Sequence, residues 1–279
     1  MKNIARALAR RALAEYRRRP KKPALALPEL VTRYDLPLGG VLHLGANDGM
    51  EAAPYDRCGF QRVVWVEGHP DFFRALVEHI ATYPNQSAYH VLISDVDGEE
   101  LEFRIAHNRV SSTIFPPSDT HHEDFPNVTF SETIRLRGRR LDAFISSNNV
   151  DLANIRNLVV DLEGSELKAL MSLGCYLDQI DFALIEVSIG ENFVRGPQLG
   201  EIDRFMLSKG FVRMEARMGS SSGDAFYVRR AASRLDQLSM RASCYFYSEA
   251  FYRLYRRRIV KLFKEFTGDT PPATQQAQS

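Results

Sequence analysis

The chain has 279 residues, of which 44% are hydrophobic and 25% charged, and its formal net charge is +1. This balance is typical of globular proteins and excludes collagen-like chains, disulfide scaffolds and long disordered chains. The three cysteines, Cys58, Cys175 and Cys244, share no metal-ligand spacing. No signal-peptide core follows Met1, and no apolar run reaches the roughly 18–20 residues of a membrane span. We therefore expect a cytoplasmic protein in a reducing compartment.

Charge is divided unevenly along the chain. Residues 1–22 hold nine basic residues and one acidic residue, and residues 229–279 hold ten basic and four acidic residues. The residues between them hold 17 basic and 30 acidic residues, a net charge of −13. We predict three parts: a basic N-terminal helix and linker (1–38), a central domain (39–230), and a basic amphipathic C-terminal helix with a polar tail (231–279).

The predicted elements begin with a short basic helix that ends at Pro20, followed by a proline-rich linker. Buried strands are then predicted at 41–47, 63–68, 88–94, 157–164 and 182–188, and helices at 70–80, 165–173 and 198–209. Alternating patterns indicate an antiparallel insertion at 101–107 and 133–138, and a closing pair of strands at 211–217 and 224–230. Strands that alternate with helices predict an α/β fold with a doubly wound parallel sheet, which binds ligands at the carboxyl ends of its strands.

A glycine-containing loop follows the first predicted strand. Gly45 and Gly49 are four residues apart, and Asn47 stands where the dinucleotide fingerprint requires glycine, so a nucleoside fits better than a pyrophosphate. Glu67 ends the second strand 22 residues after Gly45, close to the ~20-residue spacing of an acid that holds ribose hydroxyls. The alternatives are a structural turn and a solvated strand-end carboxylate.

The third predicted strand ends in Ser94 and Asp95. In a doubly wound sheet this position lies beside the adenine of a bound nucleoside, where a polar side chain can bond the base edge. Asp95 and Asp97, which precede Gly98, fit equally well as turn residues. Both interpretations remain open at this point.

Two acids, Asp161 and Glu163, follow the strongest predicted strand. Carboxylates at a strand end are costly to desolvate unless they face a cation or a proton donor, which makes them candidates for chemistry. A helix N-cap role is the alternative, and it suits Ser165 and Glu166 better than Asp161.

Nine segments, in this order along the chain, resemble the FkbM-type family of S-adenosylmethionine-dependent class I methyltransferases: HLGANDG, VVWVEGHPDFF, LISDVDG, SSTIF, RLDAF, VVDLEGSELKAL, LIEVS, EIDRFMLSKGF and GDAFYV. The resemblance covers roughly residues 39–230, which would be the methyltransferase domain. It implies a Rossmann-like sheet of seven strands, mostly parallel with the last antiparallel. It also implies S-adenosylmethionine as cofactor and O-methylation of a sugar, glycan or natural-product intermediate.

The resemblance assigns roles to the residues named above. Those assigned to the cofactor are Gly45, Asn47 and Gly49 on its methionine side, Glu67 at the ribose, and Ser94 and Asp95 near the adenine. Asp161 and Glu163 would border the methyl-transfer site. This chain has His43 where many members carry aspartate, and residues 107–130 match the family well only around the serines.

A hydroxyl acceptor must lose a proton when it is methylated. We predict Asp161 as the base or acceptor-orienting group, supported by Glu163, with His121 and His122 of the insertion as alternative bases. These side chains could bind a divalent metal, but their spacing matches no metal motif, so a metal-independent enzyme is predicted. Other functions are a non-catalytic nucleoside-binding adaptor and an RNA methyltransferase, although the acidic middle disfavours nucleic acid.

The C-terminal sequence FYRLYRRRIVKLFKEF (251–266) repeats apolar residues at helical spacing among arginines and lysines. A basic helix with an aromatic-rich face predicts peripheral contact with a membrane surface through the basic tails. The alternative is that this face packs on the domain or on a second subunit.

Overall fold

The computed structural model describes residues 24–108, 110–218 and 221–246, except for the side chains of residues 123 and 241–246. In chain order, the strands of this part of the chain are β1 (Gly40–Leu44), β2 (Arg62–Glu67), β3 (Gln86–His90), β4 (Leu92–Ile93), β5 (Glu100–Ala106), β6 (Phe130–Arg139), β7 (Ile155–Val160), β8 (Phe182–Ser188), β9 (Phe211–Met218) and β10 (Ser222–Arg229). They form a seven-stranded sheet in the order β3-β2-β1-β7-β8-β10-β9 and a three-stranded sheet in the order β4-β6-β5.

The larger sheet has the predicted topology. Its strands β3, β2, β1, β7 and β8 pair in parallel, and β10 is antiparallel to both of its neighbours, β8 and β9. The smaller sheet contains the predicted antiparallel insertion, in which β5 pairs with β6. The Rossmann-like fold with seven strands, the last of them antiparallel, is therefore confirmed.

The helices of the described residues are α1 (Leu27–Tyr34), α2 (Ala52–Cys58), α3 (Pro70–Ile80), α4 (Asp119–Asp124), α5 (Leu141–Ser147), α6 (Glu166–Ser172), α7 (Leu199–Ser208) and α8 (Arg234–Phe246), with a 3₁₀ helix at Gly174–Gln179. The start of helix α3 is set by its sequence. The His69 side chain accepts hydrogen bonds from two backbone N–H groups of the first turn, and Pro70, which has no N–H group, leaves no donor unsatisfied there. None of these helices has the length and apolar character needed to span a bilayer.

The central strands are apolar on both faces because helices cover both sides of the sheet. Along β1, Val41 packs into the cluster that contains Trp65, whereas Leu42 packs into the cluster that contains Leu158 on the opposite face. All four side chains are at most 2% exposed. Each contributes roughly 1.5–3 kcal/mol of apolar burial, so the continuous apolar runs of the sequence identify the sheet centre.

The strand predicted at 88–94 is divided between the two sheets. Its first part belongs to β3, and Leu92–Ile93 pairs instead with Gly138–Arg139 of β6. Gly138 permits this approach, since a Cβ atom at that position would lie 2.7 Å from Ser94 Cβ. The prediction of one continuous strand was wrong because the partner of Leu92 and Ile93 comes from the insertion.

The region predicted as a proline-rich linker contains α1. Pro28 occupies the first turn, where its missing N–H is not needed, and Asp35 ends the helix in a left-handed conformation with φ 51°. Leu27 and Leu30 are buried, and the ring of Tyr34 lies 5.2 Å from that of Phe226. This segment is therefore part of the core. The helices predicted within residues 1–20 and 251–266 lie outside the described residues.

We expect Leu30→Ala to lower the free energy of unfolding by about 2–5 kcal/mol, because it leaves a cavity at a position with 0% exposure. Chemical denaturation measures the change, and Leu38→Ala, at a position that is 38% exposed, is the matched control. A cost for Leu30→Ala no larger than that of the control would contradict the assignment of α1 to the core.

Candidate active site

A cavity opens at the carboxyl edge of the larger sheet, where β1, β2 and β7 end. It brings together five of the residues that the sequence singles out: Gly45, Asn47, Glu67, Asp161 and Glu163. The rest of its lining is mainly apolar and comprises Val66, Gly68, Phe72, Val91, Leu92, Ile93, Phe103, Val110, Ser112, Ile114, Leu162 and Ser165. A mostly apolar cleft with a few converging polar groups is the usual form of a small-molecule site.

The glycine loop is required by the close approach of β1 and β7. Gly45 has φ +85°, and a Cβ atom there would lie 1.7 Å from the backbone oxygen of Asp161. Gly49 also has a positive φ, and a Cβ atom there would lie 2.6 Å from Leu76 of α3, so its place is against that helix rather than in the cavity lining. Its assignment to the cofactor remains a prediction.

Glu67 is fixed at the end of β2 by backbone donors. One carboxylate oxygen accepts from the N–H of His69 at 2.7 Å, and the other accepts from the N–H of Asn47 at 2.8 Å. Burial raises the pKa of Glu67 to about 7, and these backbone hydrogen bonds partly offset that rise. Each carboxylate oxygen retains a further lone pair, so Glu67 can still accept hydrogen bonds from a ligand with hydroxyl groups.

Ser94 and Asp95 are not among the residues that line the cavity. The Ser94 hydroxyl donates to Glu99, and Asp95 forms an ion pair with Lys168. At this end the cavity wall is instead apolar, formed by Ile93 and Phe103. The assignment of Ser94 and Asp95 to the adenine remains a prediction.

Three carboxylates, which we call the acid cluster, meet at the ends of β7 and β8. Oxygen atoms of Asp161, Glu163 and Glu186 lie within 4.8 Å of one another. Asp224 on β10 is directly opposite Glu186 in the strand register, and its Oδ2 accepts from the Leu25 N–H at 2.9 Å. Four carboxyl groups are thus grouped at this edge of the sheet, and two of them, Asp161 and Glu163, line the cavity.

The acidity of the cluster is reduced by its surroundings. Burial raises the pKa of Glu163 and of Glu186 well above the usual range, and the neighbouring acids raise both further. Asp161 is open to the cavity but surrounded by protein, and its pKa is raised for the same reason, with a smaller opposing effect from its hydrogen bond to Glu186. Shared protons can relieve this repulsion, and so can a cation, since carboxylate oxygens suit hard divalent ions.

The turn that presents the acid cluster is held by a further acid, Glu166. Its Oε1 accepts from the N–H groups of Leu162 at 3.1 Å and Gly164 at 3.0 Å, just before α6 begins. The Thr113 hydroxyl donates to the Glu163 backbone oxygen at 2.6 Å. Glu163 has φ 49°, in the left-handed region that glutamate rarely adopts, and this hydrogen bond helps to hold its backbone there. Glu166 therefore has the structural role at the helix start that the sequence left open.

The histidines of the insertion are placed differently from each other. His121 is 2% exposed and packs against Phe193, with ring centroids 5.2 Å apart, whereas His122 is exposed. Burial lowers the pKa of His121 to about 4, so its imidazole is neutral near pH 7. Neither histidine is among the residues that line the cavity, and the ring of Phe193, which packs against His121, also lies close to Gly164.

His43 also lies outside the cavity lining. Its Nδ1 is 3.1 Å from the Tyr55 hydroxyl, and its ring stacks on Trp65 at 4.8 Å between centroids. Burial lowers its pKa to about 3, so the ring is a neutral part of the core.

The sequence interpretation did not assign two acids that the structure places at the site, Glu186 and Asp224. Glu186 is the only polar residue among the six of FALIEV, and Asp224 precedes the apolar run of β10. A charged residue inside an otherwise buried strand is rare unless it is paired, and this signal alone identifies both positions. Their contact with Asp161 depends on the strand order.

Comparisons with known proteins agree with this architecture. A family model described as the methyltransferase FkbM domain matches residues 43–213. No curated protein matches the chain.

Several solved structures are distantly similar. TrmK from M. capricolum, in complex with S-adenosyl-homocysteine, is 8% identical, with a TM-score of 0.46 and coverage of 90% of each chain. Magnesium protoporphyrin IX methyltransferase from Synechocystis, with bound SAM, is 10% identical, with a TM-score of 0.41 and coverage of 72% of this chain and 74% of that chain. A SAM-dependent methyltransferase from Aquifex aeolicus is 11% identical, with a TM-score of 0.40 and coverage of 78% and 97%.

We expect Glu186→Gln to raise the melting temperature at pH 8 by about 2–4 °C, the shift that ~1 kcal/mol produces in a domain of this size. The amide keeps the shape and removes one like charge. Because the pKa of Glu186 is raised in the folded state, the folded state holds this proton more tightly than the unfolded state, and Glu186 destabilises the wild type increasingly as the pH rises above its ordinary pKa of 4.5. The difference between variant and wild type should therefore shrink at pH 5.

Thermal unfolding at pH 5 and pH 8 measures both effects, with Glu100→Gln on the exposed edge of β5 as the matched control. Equal destabilisation by Glu186→Gln at both pH values would show that the cluster is not under charge repulsion.

Proposed function

The chain belongs to the FkbM methyltransferase family, and on that premise we propose that it methylates a hydroxyl group of a sugar, glycan or natural-product intermediate. S-adenosylmethionine is the cofactor, as in this family. The observation that carries the proposal is the cavity that holds Glu67 at the end of β2 and the acid cluster at the ends of β7 and β8.

The residues of the cavity fit this cofactor. Glu67 can accept from both hydroxyls of a ribose, and the apolar wall formed by Ile93 and Phe103 suits an adenine ring. Asp161, which is mostly ionised at pH 7, places negative charge where a cationic group would lie. When bound, S-adenosylmethionine supplies an electrophilic methyl group on a positively charged sulfur.

The contribution of the chain to the chemistry is to orient the acceptor and to remove its proton. Asp161 is open to the cavity, and its raised pKa, about 6, makes it a better base than an ordinary aspartate while leaving it mostly ionised at pH 7. The hydroxyl proton passes to Asp161. Glu186, whose raised pKa favours its protonated form, donates a hydrogen bond to Asp161 that helps to keep Asp161 ionised before the transfer. Glu163, two residues after Asp161, lies beside it in the acid cluster and supports it in this role.

The charge of the site favours a small neutral acceptor over RNA. Asp161 lines the cavity and is mostly ionised at pH 7, so a phosphate backbone entering the cavity would meet like charge. A non-catalytic adaptor is a weaker alternative, because binding alone does not account for desolvated carboxylates beside the cavity.

The proposal is tested by transfer of a labelled methyl group from S-adenosylmethionine to a panel of hydroxylated sugars, glycans and RNA. We expect label in a hydroxylated small acceptor. Label in RNA alone, or cofactor binding without transfer to any acceptor of the panel, would contradict it.

We expect Asp161→Asn to lower kcat by roughly 10²–10⁴-fold, the usual contribution of a general base, while the dissociation constant of S-adenosylhomocysteine changes little. Single-turnover kinetics and calorimetry measure the two quantities, and Asp178→Asn, at an exposed site away from the cavity, is the matched control. Unchanged turnover would rule out Asp161 as the base.

Glu67→Gln should weaken the binding of S-adenosylhomocysteine by roughly tenfold or more, the loss that one hydrogen bond to a charged group represents. Because the pKa of Glu67 is about 7, wild-type affinity should increase as pH rises from 6 to 8, and the variant should lose this dependence. Calorimetry across that range measures both effects, and Glu78→Gln, exposed on α3, is the control. A variant that keeps the pH dependence would assign it to another group.

A further inference from the structure

A second cavity lies beside the active-site cavity and shares part of its wall. Gly68, Val91 and Leu92 line both cavities. The second cavity has a volume of about 230 Å³, and its other lining residues come from the end of β3, from β6 and from α5. Because this volume is below the roughly 300 Å³ at which sites for drug-sized molecules begin, the cavity suits a smaller ligand. The proposed methyl transfer makes no use of it.

The second cavity arises from the way in which β6 meets β4. On this side of β6, only Gly138 and Arg139 have strand partners, which are Leu92 and Ile93. Within the described part of the chain, the residues of β6 before Gly138 therefore have no neighbouring strand on that side. Leu136 lines the cavity that this gap leaves next to the end of β3.

The polar lining of the second cavity is basic. It consists of His90, Arg137 and Arg139, and none of the described residues that line the cavity is acidic. Arg139 donates through Nε to Asp97 at 2.8 Å, which leaves its two terminal nitrogen atoms for another partner. Arg137 makes no hydrogen bond or ion pair with any residue that the structure describes, although Glu100 is its partner in the strand register.

These two arginines are placed to act together. They are two residues apart on one strand, so their side chains project to the same face of the sheet. Each has guanidinium N–H groups to spare, and the guanidinium fork matches the oxygen atoms of a phosphate group. A phosphate group is therefore the anion that this pair of residues fits best.

The remaining lining of the second cavity is apolar. Leu136 and Phe144 are partly buried, and Leu92 is 8% exposed. The Phe144 ring is held by Tyr89, whose ring meets it edge-on with 5.9 Å between centroids. A ligand that fills the cavity therefore carries an apolar ring beside its phosphate group, because an aromatic wall favours contact with another ring.

Arginines on a strand edge also have a simpler explanation, since charged side chains prevent one edge from pairing with another. That explanation applies equally to Arg135, which is exposed on the same face of β6 but does not line the cavity. A nucleic acid is disfavoured as the ligand, because Glu100 and Glu102 lie opposite Arg137 and Arg135 in the register and would repel a phosphate backbone that runs along this face.

We propose that the second cavity binds a small phosphate monoester with an apolar ring. Arg137 and Arg139 hold the phosphate group, and the ring packs against Phe144 and Leu136. The site is separate from that of the cofactor, because neither Glu67 nor any member of the acid cluster lines it.

The experiment is a titration of the full chain, with and without S-adenosylhomocysteine, followed by ligand-detected NMR. The probes are phenyl phosphate, inorganic phosphate and phenol. We expect phenyl phosphate to bind roughly tenfold more tightly than inorganic phosphate, because its ring buries apolar surface, and at least roughly tenfold more tightly than phenol, which lacks the charge. S-adenosylhomocysteine should leave these affinities unchanged.

Arg137→Gln should weaken the binding of phenyl phosphate roughly tenfold, the loss that a hydrogen bond to a charged group represents. The Arg137 side chain is exposed, so its replacement leaves the packing of the domain intact. Arg135→Gln, two residues away on the same face of β6, is the matched control and should bind phenyl phosphate like the wild type.

Four results would overturn the proposal. The first is no binding of phenyl phosphate, and the second is an equal loss in the Arg135 and Arg137 variants, which would assign both arginines to protection of the strand edge. The third is displacement of phenyl phosphate by S-adenosylhomocysteine, which would place the probe in the active-site cavity. The fourth is tighter binding of an RNA oligonucleotide that Arg137→Gln weakens, which would identify a nucleic-acid surface. None of these results depends on the methyl acceptor or on catalysis.

Discussion

The close approach of β1 and β7 is the constraint on which the site depends. Gly45, the first residue after β1, lies against the backbone of Asp161, and only a residue without a Cβ atom fits there. Since β1 is paired with β2 on its other side, the ends of all three strands reach one edge together. Asn47 then donates its N–H to Glu67, which couples the loop after β1 to the acid after β2. One steric requirement thus brings the loop after β1, Glu67 and Asp161 into one cavity.

The acid cluster lowers the stability of the folded state, and interactions elsewhere in the fold offset this loss. Three carboxylates whose oxygen atoms lie within 4.8 Å of one another disfavour full ionisation of the folded state, as their raised pKa values indicate. The surrounding turn is tightly specified, because Glu166 and Thr113 hold its backbone from two sides. Preorganised groups of this kind are typical of sites where stability is traded for function.

Much of this arrangement is local and could be predicted from the sequence. Continuous apolar runs predicted the central strands. Glu67 and Asp161 were predicted as site residues because each is an acid at the end of such a run. Glu186 and Asp224 were not predicted because each is a single acid within a strand. Their proximity to Asp161 follows from the strand order β7-β8-β10. The different place of Ser94 arises from the insertion, whose β6 pairs with Leu92–Ile93. Local patterns thus identify elements, whereas contacts made across the sheet require its topology.

The hydrogen bond from the Leu25 N–H to Asp224 joins residues 199 positions apart in the sequence. Both partners lie outside residues 43–213, the segment that the family model matches. An acid that raises the pKa of Asp161 is thus contributed by one flank of the matched segment and bonded by the other. A change at Asp224 can therefore adjust the acidity of Asp161 without altering β1, β2 or β7, the strands whose ends form the cavity.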